Sequence, residues 1–336
     1  MTPREIFLCA LRRRPTPRPA TGSATSVVTT DLMARVGVSF PEAHLHPEKM
    51  ARLAAAGYTE LGCDNVMPLF SVWHESAALG CAVDWGDSRR MPTGTPCHPS
   101  LASPFAVPPR FLQHPACVVP LAALRRLKQH LGNEAAIVGK VFGPWTLGYH
   151  IFGVEEFLLS TLTDPDGVKR ALRTLLEVTV AFARAQIDAG ADALTLADHC
   201  TRDLCSPLAY RGFLRELHAE LHERLPIPLI LHICGDTSDR IGDLRTTGIE
   251  CFHYDSKVPL PMVRSLAGEQ LSLMGGTSNL TVIRSGTAEE ITEDVGAKVA
   301  AGIDIIGPEC AVPLDAPWAN LAALTRAAKQ RRPPAR

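Results

Sequence analysis

The residues in this chain best suited to chemistry are His232 and Cys234, which close the apolar run "PLILHIC" just ahead of the charged turn "GDTSD". On a strand, side chains two apart point to one face, roughly 6.6 Å along the chain from each other. Imidazole and thiolate make a borderline-soft donor pair suited to zinc. A third donor of the same kind, Cys310, ends a second apolar run, "IDIIGPEC", on a segment constrained by Gly307, Pro308 and Pro313. Three protein ligands would leave one position of a tetrahedral zinc for a substrate, the pattern of catalytic rather than structural sites. Spacing alone leaves the alternative open, a histidine and cysteines that simply pack in the core. The paired C-x-x-C knuckles of a strong zinc signature are missing.

A ligating imidazole needs an acceptor for its second nitrogen. Asp255, Asp198 and Asp236 stand near predicted strand ends and are candidates, although each could equally cap a following turn. His199 and Asn279 also fall at predicted strand ends and, together with Asp198 and Asp255, are candidates to touch substrate or a partner. Glu309, beside Cys310, is a candidate to occupy the fourth metal position. His44, His46, His74, His218 and His222 read as surface or helix-face residues, with His218 and His222 four apart on one solvated face.

Placing these groups together requires a scaffold, and the last two thirds of the chain supply one. Short apolar runs alternate with longer amphipathic ones. "AAIVGKVFG", "ALTLAD", "PLILHIC", "CFHYDS", "LSLMGGT" and "IDIIGPEC" read as strands, and "CDNVMPLF" adds an earlier one. Helices start at Asp164-Pro165, at Ser206-Pro207, at Ser238, at Pro259, at the Thr287-x-x-Glu290 capping box, and at Pro317. Strands without polar alternation, each followed by a helix, imply a parallel sheet covered by helices. About eight strands and no glycine-rich phosphate loop favour an α/β fold, a (β/α)₈ or TIM barrel, over a doubly wound sheet. The whole chain, 1–336, reads as one barrel domain, with an N-terminal helical extension and a βα insertion near 85–109 rich in Pro, Gly, Ser and Thr. Barrel active sites collect at the C-terminal ends of strands, where His232, Cys234 and Cys310 fall.

Bulk properties narrow the partners. With 46% hydrophobic residues, 336 residues can bury a large core, and a formal charge of −1 gives no nucleic-acid footprint. The basic cluster "LRRRPTPRP" reads as a solvated turn. No apolar run approaches the roughly 20 residues of a membrane-spanning helix, and "IFLCAL" is too short for a signal peptide core. A cytoplasmic location is therefore expected, where cysteines stay reduced. Of the ten cysteines, Cys9, Cys63, Cys81 and Cys117 sit among apolar neighbours and read as core.

His232-x-Cys234 followed far downstream by Cys310 resembles the H-x-C…C zinc motif of cobalamin-dependent methyltransferases in the uroporphyrinogen decarboxylase superfamily, those of the methylcobamide:coenzyme M type. The likeness extends to "SFPEAHLHPEKMARLAAAGYTELGCDNVMPLF", "KVFGPWTLGYHIFGVEEFL", "LADHCTRDLCSPLAY", "GGTSNLTVIRSGTAEEI" and "AGIDIIGPECAVPLDAP", and so to nearly the whole chain. It implies a TIM barrel with one Zn²⁺ at its mouth. It further implies methyl transfer from a methylcobamide, carried on a separate corrinoid protein, to a small thiol. Coenzyme M carries a sulfonate, for which Arg202 and Lys140 are the conceivable cations. No D-x-H-x-x-G cobalamin motif is present, so the corrinoid belongs to the partner. A metal-free decarboxylase is the first rival, but "RPATGSATS" lacks the arginine-rich substrate pattern of that activity. Homocysteine or tetrahydrofolate are alternative acceptors. A non-catalytic zinc or corrinoid carrier would leave the open ligand position unexplained.

Overall fold

The computed structural model describes residues 1–98, 100–103 and 105–334. Ten strands follow in chain order: β1 (Ala20–Thr21), β2 (Asn65–Val66), β3 (Ala82–Asp84), β4 (Thr93–Thr95), β5 (Ala136–Phe142), β6 (Ala193–Ala197), β7 (Leu229–His232), β8 (Cys251–Tyr254), β9 (Ser272–Gly275) and β10 (Ile305–Ile306). Eight of them form one sheet in the order β1-β10-β9-β8-β7-β6-β5-β2, with parallel pairings throughout. Every residue of β5, β6, β7, β8 and β9 is buried, as strands covered on both faces must be. The architecture is the expected TIM barrel.

The sheet closes between β1 and β2 largely through side chains. Asp64 N–H donates to the Thr21 carbonyl at 2.7 Å, and its Oδ2 accepts from Thr21 N–H at 2.8 Å. Asn65 repeats the exchange with Ser23, accepting its N–H at 3.0 Å and donating to its carbonyl at 2.9 Å. Arg18 grips the buried Asp64 carboxylate with two nitrogens, at 2.7 and 2.8 Å. Strand β1 lies in "RPATGSATS", which carries no strand signal; two residues are too few to show a period.

Helix starts follow the capping chemistry. Asp164 Oδ1 accepts from Gly167 N–H at 2.9 Å, Ser206 Oγ accepts from Ala209 N–H at 3.1 Å, and Thr287 and Glu290 form the reciprocal box. The helix expected from Ser206 is interrupted by a wide π turn at Tyr210–Leu214 before Arg215–Arg224. That from Ser238 shrinks to Ile241–Leu244. The stretch expected as an insertion, 85–109, holds β4, which pairs antiparallel with β3 just ahead of it; Pro99 and Pro104 lie outside the described residues. Cys63, Cys81 and Cys117 are buried as expected, whereas Cys9 is only half-buried. Among the described residues no helix is long and apolar enough to cross a membrane.

Candidate metal centre and active site

His232 is the last residue of β7, and Cys234 follows it on the turn opened by Gly235. Cys310 stands four residues beyond the end of β10, on a segment joined to β9's exit by the Thr277–Pro308 bridge. The three side chains meet. His232 Nε2 lies 3.0 Å from Cys234 Sγ and 3.6 Å from Cys310 Sγ, and the two sulfurs are 3.0 Å apart. Sulfur and nitrogen donors around a tetrahedral zinc stand about 3.6–3.8 Å from one another, so an ion would spread this triangle by less than about 1 Å. Among the described residues it is the one His/Cys/Asp/Glu cluster compact enough to hold a metal. The hydrogen bond from Cys234 is the main reason the Cys310 thiol is held well below its ordinary range, and Cys234 is correspondingly pushed up.

The acceptor that orients His232 is neither Asp255, Asp198 nor Asp236; it is His253. The two histidines face each other across the β7–β8 register, with Nδ1 to Nδ1 at 2.7 Å. His253 Nε2 lies 2.7 Å from the Pro308 carbonyl, which can only accept. Burial pushes His253 far toward its neutral form, so with its proton on Nε2 its Nδ1 is a bare acceptor. His232 must then carry a proton on Nδ1, and its Nε2 is the nitrogen that faces the two sulfurs. Gly275 makes room for this contact. At φ +90°, a Cβ there would stand 2.5 Å from His253 Cδ2. Sequence reasoning missed His253 because "CFHYDS" shows a lone histidine inside an apolar strand; its signal lay only in the register with His232.

The acidic candidates hold loops instead. Asp255 accepts from Gly235 N–H at 2.8 Å and Lys257 N–H at 2.9 Å, fixing the turn that carries Cys234. Asp198 is fully buried: one oxygen takes Thr146 N–H at 2.8 Å and its hydroxyl at 3.1 Å, the other takes His218 Nε2–H at 3.0 Å. Asp236 lies at the rim, paired with Arg202 at 2.6 Å, so Arg202 is already engaged and exposed. Glu309 does not offer a free oxygen to the cluster. Its carboxylate accepts from Ser256 N–H at 3.0 Å and Asn279 N–H at 2.7 Å. Asn279 adds a bond from Nδ2 to the Ala311 carbonyl at 2.9 Å, clamping the chain on the far side of Cys310.

Several histidines depart from the surface reading. His44, His74 and His218 are buried, and His218 also meets the Tyr210 hydroxyl, at 3.1 Å. A polar residue on a helix face gives no sign of which face turns inward, which explains the error. His46 is exposed as expected, and His222 is half-buried beside Glu250.

The cluster opens on a cavity of about 220 Å³ walled by Phe70, Val72, Met91, Phe142, Tyr149 and His150, with Lys140, Thr146, Asp198 and His199 among its polar lining. His199 is exposed at its edge and anchored by its N–H on Thr146 Oγ1 at 2.7 Å. An open, mostly apolar chamber ending on two thiols and one imidazole nitrogen can hold a small molecule against a bound metal.

The chain is a member of the uroporphyrinogen decarboxylase family, whose sequence signature matches residues 2–331. Within it, the chain groups with methyltransferases. It is 32% identical over 303 residues to a methylated-thiol–coenzyme M methyltransferase of Methanosarcina mazei, covering 90% of this chain and 82% of that one. It is 29% identical to the methylcobamide:CoM methyltransferase MtaA of Methanosarcina barkeri, over 96% of both chains. A solved methyltransferase structure from Methanosarcina mazei superimposes with a TM-score of 0.93 at 29% identity, over 98% of both chains. Uroporphyrinogen decarboxylases are more distant, for example 24% identical over 77% of this chain for that of Granulibacter bethesdensis. A B12-independent methionine synthase from a Shewanella species, at 14% identity and a TM-score of 0.62, shares the fold.

Proposed function

We propose that this chain transfers a methyl group from a methylcorrinoid, borne by a separate protein, to a small thiol such as coenzyme M, using one zinc ion held by His232, Cys234 and Cys310. The convergence of those three donor atoms on the cavity carries the reading, and the names of the relatives point the same way. Bound there, zinc would supply the reactive thiolate at neutral pH, since a coordinated thiol is deprotonated outright.

The chain's own residues do the rest. His232 turns Nε2 toward the sulfurs because His253 holds its other nitrogen. Two cysteinates offset a dication's charge, which leaves an added thiolate nucleophilic. Asp255 fixes the turn of Cys234, while Asn279 and Glu309 fix the arm of Cys310. Phe70, Phe142 and Tyr149 give the chamber beside the sulfurs an apolar wall. His199, at the edge, is placed to touch the incoming substrate or the corrinoid.

Metal analysis and a visible-spectrum assay of methylcobalamin demethylation by added thiols test this. The wild type should bind one zinc per chain, and Cys310→Ser should lose at least about 10-fold in zinc affinity along with thiol-dependent demethylation. Equal zinc in both proteins would remove Cys310 from the ligand set. Silence with every thiol, together with decarboxylation of uroporphyrinogen, would overturn the reading.

A further inference from the structure

Cys97 is the one exposed cysteine of the chain, and a second cysteine stands beside it. Strands β3 and β4 pair Ala82 with Thr95, so one step further along the hairpin Cys81 comes across from Pro96, next to Cys97. Strand spacings of about 4.8 Å across and about 3.4 Å along put the two Cα atoms about 6 Å apart, inside the roughly 4.4–6.8 Å that a disulfide spans. The end of the helix Pro144–Phe152 draws both residues to one place. Cys81 Sγ lies 3.5 Å from the His150 carbonyl, and Cys97 N–H donates to the next carbonyl, that of Ile151, at 3.2 Å. Cys97 Sγ turns back toward the entry to β3. It lies 3.7 Å from the Leu79 carbonyl, and a Cβ on Gly80 would stand 3.9 Å from it.

The two thiols are chemically unequal. A hydrogen bond from the Cys81 thiol brings Cys97 down to about 7, while that bond and then burial push Cys81 far up. At neutral pH the exposed sulfur is thus about half thiolate, the form that attacks, and the buried one keeps its proton. An accessible thiol of this kind beside a second cysteine is the arrangement of redox-responsive pairs. Neither sulfur belongs to the metal cluster or lines its cavity. The hairpin that they close does reach the cavity. Met91, in its connection, is part of the wall, and Gly94 of β4 packs on Trp73, which stacks at 4.2 Å on the wall residue His150.

We propose that Cys97 and Cys81 form a reversible dithiol–disulfide site that takes low-molecular-weight disulfides as its oxidant and, once closed, fastens the β3–β4 hairpin against the cavity wall. The Cys97 thiolate attacks one sulfur of the small disulfide, forming a mixed disulfide and expelling a thiolate. The Cys81 thiol then gives its proton to the medium and attacks the Cys97 sulfur, expelling the second thiolate. Two protein thiols are oxidised, one small disulfide is reduced to two thiols, and excess thiol reverses both steps. The site does not depend on the proposed methyl transfer.

Full-length wild type, Cys97→Ser and Cys81→Ala, each supplied with zinc to shield Cys234 and Cys310, are treated with glutathione disulfide. The remaining thiols are trapped and the cysteines mapped by mass spectrometry. Wild type should show a Cys81–Cys97 cross-link that dithiothreitol removes. Cys97→Ser should show no cross-link at Cys81, and Cys81→Ala should accumulate glutathione on Cys97. Alkylation of Cys97 by iodoacetamide should rise through about pH 7 in wild type and through about pH 8.5 in Cys81→Ala. Amide exchange across Ala82–Thr95 should slow at least about 10-fold on oxidation and recover with dithiothreitol. Glutathione lodged on Cys97 in wild type, Cys97 left unmodified, or Cys97 joined to another cysteine overturns the dithiol site. Unchanged exchange on oxidation overturns the fastening of the hairpin. Wild type and Cys97→Ser decide both even if Cys81→Ala does not fold.

Discussion

Replacing His253 with Phe removes both hydrogen bonds of the bridging ring while keeping its approximate volume. Two groups lose partners: His232 Nδ1–H, now without its acceptor at 2.7 Å, and the Pro308 carbonyl, now without its donor at 2.7 Å. Both sit in a layer from which water is excluded; His253 is fully buried and His232 is 5% exposed. Each unsatisfied group costs about 1–3 kcal/mol, so the metal-free variant should be less stable by about 2–6 kcal/mol. Freed of its acceptor, His232 can also place its proton on Nε2 and aim it at the sulfurs. A lost outer partner of this kind weakens metal binding by about 10- to 100-fold, or about 1.4–2.8 kcal/mol. Competition with a chromogenic chelator measures the zinc affinity, and urea unfolding of the metal-free protein measures the stability. His253→Phe should show both losses while still reaching one zinc per chain at saturation. Zinc affinity within twofold of wild type would refute the tautomer argument, because the ring would then have been packing alone.

Two further outcomes concern the scaffold. Burial raises Glu75 from 4.5 to about 7, so the folded state holds its proton over a window where the unfolded chain has lost it. Its contribution to stability is whole below pH 4.5 and is lost as pH rises through 7, an effect of about 3 kcal/mol. Glu75→Gln should flatten the fall of the urea midpoint between pH 5 and pH 8; a slope equal to the wild type's would refute it. Lys140, lowered from 10.5 to about 8, acts in the opposite sense above pH 8, outside that window. Asp64→Ala leaves Arg18 and Thr21 N–H without their acceptor at the β1–β2 closure and should cost about 3–5 kcal/mol in urea unfolding; a loss below about 1 kcal/mol would show that the backbone alone closes the barrel.

The barrel was legible because its central strands are continuous apolar runs and some of its helices begin with side chains that cap, at Asp164, Ser206 and Thr287. Strand β1 was not, since two residues carry no pattern. The three clustered donors were legible for a different reason: two occupy one strand end and the third follows another, and a parallel barrel brings strand ends together. Their supporting residues were misassigned. Asp255 and Asp198 stand where acids at strand ends were read as partners for an imidazole, yet backbone amides and His218 reach them first. His253 could be found only once β7 and β8 were in register. His218 looked solvated because one helix face resembles another in sequence, and the π turn at Tyr210–Leu214 shifts the phase between them.

The His253 bridge joins two arms that the chain order keeps 76 residues apart. It grips the imidazole end of one and the Pro308 carbonyl of the other, two residues before Cys310. Both jaws are thus braced against a single ring, independently of any guest. Unlike a zinc finger, which unravels when its ion is withdrawn, this socket is a standing fixture of the barrel. Stripping with a chelator should leave the architecture intact, and recharging should proceed by docking into a ready seat, without refolding.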